Sequence, residues 1–177
     1  MQRPDQRVGI FVDVSNIYHS AKQCHSARVN FAYIMEKAVA GRKLIVAKAY
    51  AIRSPIDQDL FFDALTRSGY QVCLKDLQVF HTGIKKGDWD VGISIDIVKV
   101  AEKLDAVILV TGDGDFVPLG QYVKERGCKF EVMAVSGATS AKLKEIADHF
   151  TDISSDEGFF LRRPEIYNFN ANNTVAV

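Results

Sequence analysis

Val8-Gly9-Ile10-Phe11-Val12-Asp13-Val14-Ser15-Asn16 is a short apolar run, rich in branched side chains, that ends in a carboxylate where the chain turns. Such a run reads as a buried β-strand. A second one, Ala106 to Val110, leads into Thr111-Gly112-Asp113-Gly114-Asp115-Phe116 and ends the same way. In an open α/β sheet the ligand crevice lies outside the carboxyl ends of the strands. Acids gathered at two such ends predict a metal site.

Working outward from these strands, apolar runs and helix-like runs alternate. Helices are expected from about Asn16 to Gln23 and from Phe31 to Ala40, then a strand from Leu44 to Ile52. A helix from about Ile56 to Ser68, a strand from Tyr70 to Leu74 and a lysine-bearing loop follow. The second half reads as a long helix from about Asp88 to Leu104, the strand Ala106 to Val110, a helix from Phe116 to Glu125, a strand from Lys129 to Val135 and a helix from Ser140 to His149. This alternation predicts an α/β fold with a doubly wound, mainly parallel sheet. Gly41, Gly69 and Gly127 each sit just past a helical run, as C-cap glycines do, and Pro55 and Pro118 fall near helix starts. The expected domain covers residues 1–153. Residues 154–177 form an extension in which Phe159-Phe160-Leu161-Arg162-Arg163-Pro164 packs on the body and Asn168 to Val177 frays.

The stretch from Val91 to Leu104 fits two periods. Val91, Ile93, Ile95 and Ile97 alternate as in a strand, whereas Ile93, Ile97, Val100 and Leu104 follow helical spacing. Its unbroken length and the run Lys99-Val100-Ala101-Glu102-Lys103-Leu104 decide for helix. Asp96 then falls on the inward stripe, where an unpaired charge is costly. A cation or a basic partner must compensate it.

Composition narrows the partners. The 177-residue chain is long enough to bury roughly 70% of its unfolded surface. Lys plus Arg and Asp plus Glu both number 22, so no global basic field is available to hold a polyanion. A local patch or a metal must do so. The three cysteines, Cys24, Cys73 and Cys128, are far apart and lack C-x-x-C spacing, which excludes a disulfide framework or zinc ribbon and predicts reduced, buried thiols. The N-terminus is polar and leads straight into a strand, with no apolar stretch of signal or membrane-span length. A soluble, cytoplasmic protein without a membrane partner is expected.

Hard divalent cations such as Mg²⁺ and Mn²⁺ take oxygen ligands. Asp13, Asp96, Asp113 and Asp115 supply such oxygens from three elements, and Asn16, one turn after Asp13, offers an amide to a substrate phosphate or a metal-bound water. A metal so held activates water and stabilises the oxyanions of displacement at phosphorus, which points to phosphodiester hydrolysis. Singly, Asp13 reads equally as a helix N-cap, and Asp113 or Asp115 as an Asx-turn. Asp90 reads as a capping residue or a further ligand. Lys85 and Lys86 are candidates for phosphate contacts, Trp89 and Tyr18 for base stacking or plain packing, and Ser140 and Asp148 for helix capping and local hydrogen bonding. The four histidines share no ligand spacing.

Three motifs in this order resemble the NYN domain family, PIN-like nucleases that include LabA-like proteins. They are Phe11-Val12-Asp13-Val14-Ser15-Asn16, Lys85-Lys86-Gly87-Asp88-Trp89-Asp90-Val91 running on to Asp96, and Leu109-Val110-Thr111-Gly112-Asp113-Gly114-Asp115-Phe116. The resemblance continues through Gly127 and Ser140 to Phe150 and covers about Val8 to Ile153. It implies a PIN-like three-layer α/β/α fold and a metal-dependent ribonuclease site, with the family's acidic positions falling on Asp13, Asp96, Asp113 and Asp115. Asn16 matches a family polar residue, and Asp90 a recurrent acid at the start of the same helix. Thr111, Gly114 and Val14-Ser15 depart from the commoner residues, and no carboxylate is lost.

The expected activity is therefore Mg²⁺- or Mn²⁺-dependent hydrolysis of RNA, with single strands as partner. The resemblance allows a homodimer, and Phe159-Phe160-Leu161 reads as a core strand, a dimer contact or a dock for another protein. The alternative is a regulatory RNA-binding module that keeps the metal site without turnover. A haloacid-dehalogenase-like phosphatase, suggested by Gly112-Asp113-Gly114-Asp115, is disfavoured because Ser15 stands where that chemistry needs a second acid after Asp13.

Overall fold

The computed structural model describes residues 3–53, 59–76, 78–79, 85–86 and 88–161, with 78–79 and 85–86 as backbone only. Its elements are β1 (Arg7–Asp13), α1 (Val14–His25), β2 (Arg28–Val29), α2 (Phe31–Val39), β3 (Lys43–Arg53), α3 (Asp59–Arg67), β4 (Gln71–Asp76), β5 (Gln78–Val79) and β6 (Lys85–Lys86). They continue with α4 (Asp90–Val100), β7 (Ala106–Val110), α5 (Val117–Glu125), β8 (Lys129–Ala134), α6 (Ala141–Ile146), β9 (His149–Asp152) and β10 (Phe160–Leu161).

Six strands form one sheet in the order β4-β3-β1-β7-β8-β9. Every pairing in it is parallel. Parallel strands need both faces covered, which is why β1 from Val8 and all of β7 are buried residue after residue rather than alternately. Side-chain alternation divides β1 between two cores. Val8, Ile10 and Val12 pack with Ile17 and Ala21 of α1, Ile34 and Ala38 of α2 and Leu65 of α3. Phe11 faces the other way, into Ile93 and Ile97 of α4, Leu119 and Val123 of α5 and Leu143 of α6. The result is the expected three-layer α/β/α arrangement.

A buried ion pair stiffens the first layer. Arg42, between α2 and β3, donates to both carboxylate oxygens of Glu131 on β8, at 2.7 and 3.0 Å. It also donates to the Ala38 carbonyl at 2.6 Å. With its side chain 2% exposed, the guanidinium has satisfied partners where an unpaired charge would be untenable.

Several expectations are corrected. The last helix stops at Ile146 instead of His149, and His149–Asp152 becomes the sixth strand. The turn between them is fixed by Asp148, whose carboxylate accepts from Phe130 N at 2.8 Å while its own N–H donates to Phe130 O. β2 and β10, too short to leave a periodic signal, pair antiparallel, and Phe159 just before β10 is buried in the first core. The long helix begins at Asp90 and tightens to a 3₁₀ turn over Ala101–Lys103. Of the cysteines only Cys128 is buried: Cys24 is exposed and Cys73 half-buried, because they lie at a helix end and on an edge strand. Gly69 and Gly127 adopt φ of 95° and 76°, as expected past helix ends. Pro118 lies in the first turn of α5, whereas Pro55 and the tail from Arg162 lie outside the described residues. Among the described residues, no helix is long and apolar enough to cross a membrane.

Candidate active site

β1 and β7 are neighbours in the sheet, yet the helices that follow them cover opposite faces. Their carboxyl ends therefore flank the topological switch point, where the connections part and leave a crevice. Asp13 ends β1 and the Asp113 loop follows β7, so both acid-bearing turns open onto that crevice.

Asp13 is 9% exposed and caps α1, accepting from Asn16 N at 3.1 Å. Capping and a place at the crevice coincide here. Burial pushes its carboxyl up to about 6; the Asn16 N–H opposes this, while the charges of Asp90 and Asp113 add to it. Asn16 reaches across the crevice, its Oδ1 accepting from Gly112 N at 2.9 Å. The expected substrate-facing amide is thus first a strut between the β1 turn and the β7 loop. Among the described residues nothing accepts from its Nδ2.

The β7 loop is shaped by its neighbours. Thr111 is fully buried, and its Oγ1 accepts from Asp113 N at 3.3 Å. The Asp113 carboxylate accepts from Asp115 N at 3.0 Å and so caps the 3₁₀ turn Gly114–Phe116. Neither Gly112 nor Gly114 has a positive φ, so sharp bending is not their reason. Close approach is. A Cβ on Gly112 would lie 2.8 Å from Ala138 O, and one on Gly114 would lie 2.8 Å from Ser140 Oγ. The loop before α6 is pressed onto the acidic loop, with Ser140 N donating to Gly112 O at 3.0 Å. Ser140 begins α6 without a side-chain capping bond, and its expected capping role is limited to its carbonyl, which accepts from Lys144 N at 3.1 Å.

Asp90, the first residue of α4, completes the group. Ligand oxygens of Asp90, Asp113 and Asp115 all lie within 4.8 Å of one another. Full charges at about that separation repel by roughly 3–4 kcal/mol per pair at an effective dielectric of about 20. Burial raises the Asp90 carboxyl above the usual range, the charges of Asp113, Asp88 and Asp115 raise it further, and Lys75 partly offsets them. Lys75 is itself engaged: its Nζ donates to Asp88 O at 2.9 Å and lies 4.6 Å from the Trp89 ring centroid. Among the described residues, no cation is paired with Asp13, Asp113 or Asp115. A hard divalent cation suits this set of carboxylate oxygens, because it supplies the charge they lack.

Asp96 is not brought into this group. Its carboxylate accepts from Lys48 Nζ at 2.8 Å and from Tyr50 Oη at 2.9 Å, both on β3. Burial alone would raise its carboxyl, but these two hydrogen bonds together with the charges of Lys48 and Lys99 hold it below the usual range. Six residues of helix rise by about 9 Å, so Asp96, midway along α4, lies well over a turn from Asp90 at its start. The inward charge does find a basic partner, and it is a lysine of the same chain. Trp89 packs rather than presenting a free face: its Nε1 donates to Ala51 O at 2.9 Å and its ring lies 5.3 Å from that of Tyr50. Tyr18 remains 41% exposed, edge-on to His19. Lys85 and Lys86 pair as backbone with Val79 and Gln78, while their side chains lie outside the described residues.

Sequence reasoning missed Lys48, Tyr50 and Lys75. The signal for Lys48 was present as a lysine within the apolar run Leu44 to Ile52, two residues before a buried tyrosine. An apolar groove lined by Val29, Phe31, Phe61, Leu65 and Leu161 lies between α2, α3 and the β10–β2 ribbon and holds none of the acidic residues.

Comparison with known proteins identifies the family of this fold. Residues 7–155 match the NYN domain. Over 170 residues the chain is 26% identical to the Low amplitude and bright protein LabA of Synechococcus elongatus, covering 90% of this chain and 91% of LabA. It is 32% identical over 102 residues to an uncharacterised protein of Methanocaldococcus jannaschii, covering 56% of this chain and 42% of that protein. The crystal structure of a Vibrio parahaemolyticus protein of unknown function superposes with a TM-score of 0.82 at 36% identity, covering 91% of this chain and 100% of that one. The matched region runs from the first acid-bearing strand through β9, and the chain belongs to the NYN domain family, a PIN-like nuclease family.

Proposed function

We propose that this protein is a divalent-metal-dependent ribonuclease that hydrolyses phosphodiester bonds of single-stranded RNA at Asp13, Asp90, Asp113 and Asp115. The observation that carries this reading is the meeting of Asp90, Asp113 and Asp115 oxygens within 4.8 Å beside buried Asp13, at the switch point of an NYN-family sheet. Asp90, Asp113 and Asp115 would hold a Mg²⁺ or Mn²⁺ ion, with Asp13 lining the crevice from the β1 side. A cation bound there supplies Lewis acidity toward phosphoryl oxygens and makes a water more acidic near neutral pH.

The residues of the chain divide the remaining work. Asp13, with its carboxyl raised by burial to about 6, is suited to accept a proton from an attacking water close to neutral pH. Asn16 fixes the distance between the two acid-bearing turns, and its Nδ2 can donate to a phosphate oxygen. With no net charge, the chain holds the RNA through local contacts, for which Lys85 and Lys86, preceding α4, are the candidates.

The test is incubation of mixed-sequence single-stranded RNA with the protein in Mn²⁺, Mg²⁺ or EDTA, beside Asp113→Asn. Metal-dependent cleavage lost in the variant is expected. Metal-dependent RNA binding without cleavage would instead establish the regulatory module.

A further inference from the structure

We propose that Asp96 and Trp89 are positioning residues which clamp α4 to β3 and thereby hold Asp90 against Asp113 and Asp115. The inference deepens the proposed function and rests on reading that acidic group as the metal site.

The three carboxylates repel one another, and Asp90 is the one brought by a separate helix. Something must press α4 inward. β3 grips it at two points. At the N-terminal end, Trp89 donates from Nε1 to Ala51 O at 2.9 Å and packs on the Tyr50 ring, with Lys75 Nζ 4.6 Å from its centroid. The indole folds back over the first turn so tightly that a Cβ at Gly92 would lie 2.6 Å from Trp89 Cε3. Farther along α4, Asp96 accepts from Lys48 Nζ and Tyr50 Oη.

Both grips converge on Tyr50, which is fully buried and whose register partner on β1 is Asp13. The clamp is therefore referenced to the strand that carries Asp13. A carboxylate occupied by an ammonium and a phenol, on the far side of the helix turn from Asp90, does what a tether does. Loss of either grip frees α4 to move outward under the repulsion of its own Asp90.

Trp89 is the chain's only tryptophan, so its emission reports this clamp with or without metal. The experiment measures tryptophan emission and Mn²⁺ affinity, the latter by spin resonance of free Mn²⁺, for the full chain, Asp96→Asn, Asp96→Ala and Asp113→Asn. Asp96→Asn keeps an acceptor for Tyr50 and Lys48; wild-type emission and Mn²⁺ affinity within about threefold are expected. Asp96→Ala is expected to shift the emission to the red and weaken Mn²⁺ by about tenfold or more. Asp113→Asn should lose Mn²⁺ with emission unchanged. If Asp96→Asn loses Mn²⁺ as fully as Asp113→Asn with emission unchanged, Asp96 is a ligand and the proposal is wrong. Unchanged emission in Asp96→Ala would also overturn it. If the wild type binds no Mn²⁺, the metal reading fails, while the emission of the two Asp96 variants still decides the clamp. Should Asp96→Ala not fold, Trp89→Phe, which removes the bond to Ala51 and leaves a smaller ring against Tyr50, is expected to weaken Mn²⁺ severalfold, and unaltered affinity would count against the proposal.

Discussion

Asn16 accepts a hydrogen bond from the Gly112 amide at 2.9 Å, tying the turn after β1 to the loop after β7. Two segments 96 residues apart in sequence are thereby held at a fixed spacing, and each carries an acid of the candidate site.

Removal of this strut should be felt in both stability and binding. Gly112 is buried, so Asn16→Ala leaves its N–H without a partner, at a cost of about 1–3 kcal/mol. Denaturant unfolding should show that loss, and calorimetry should show weakened Mn²⁺ binding. Asn16→Asp keeps an acceptor but adds a charge beside Asp13 and the Asp113 loop, so it should recover stability only with Mn²⁺ present.

Asp13 sets a pH dependence with a definite sign. Its folded carboxyl titrates at about 6, above the value of about 3.9 expected when unfolded, so the folded state binds more protons between the two. The metal-free protein therefore loses stability from this group as pH rises through that window, by up to about 3 kcal/mol. Asp13→Asn removes the penalty. Its melting temperature should exceed that of the wild type at neutral pH in EDTA, and the gain should vanish below about pH 4. An equal gain at all pH values would contradict the burial of an ionised Asp13.

The two loop glycines should differ. A methyl at Gly112 meets the backbone oxygen of Ala138, which cannot move alone, whereas one at Gly114 meets the Ser140 side chain. Gly112→Ala is expected to cost about 1–3 kcal/mol and to displace Asp113. Gly114→Ala should be milder and be relieved by Ser140→Gly, as thermal unfolding of the single and double variants would show.

Far from the site, Glu131→Gln leaves Arg42 charged and without its carboxylate in a buried setting. A loss of about 3–5 kcal/mol is expected, with Mn²⁺ affinity at a permissive temperature unchanged. This variant separates loss of fold from loss of site.

Most of the fold was legible because parallel strands announce themselves. β1 and β7 are continuous apolar runs, and buried carboxyl ends have few reasons to carry acids. What escaped were features set by tertiary contact. β9 follows a helix without a glycine or proline to mark the break; the stop is enforced by Asp148 docking on Phe130. β2 and β10 exist only as each other's partner. At the candidate site, the difference between Asp90 and Asp96 depended on what the start and the middle of α4 each meet. Periodicity puts Asp96 inward, but only the β3 neighbour shows that Lys48 and Tyr50 already occupy it.

The central claim is that Asp90, Asp113 and Asp115 form a divalent-metal site at the junction of β1 and β7. The most direct test is an anomalous difference map from a crystal of the protein grown with Mn²⁺. A manganese peak among those three carboxylates, with the Asp96 carboxylate still on Lys48 and Tyr50, is the predicted result. A peak at Asp96, or none beside Asp113 at saturating Mn²⁺, would contradict it.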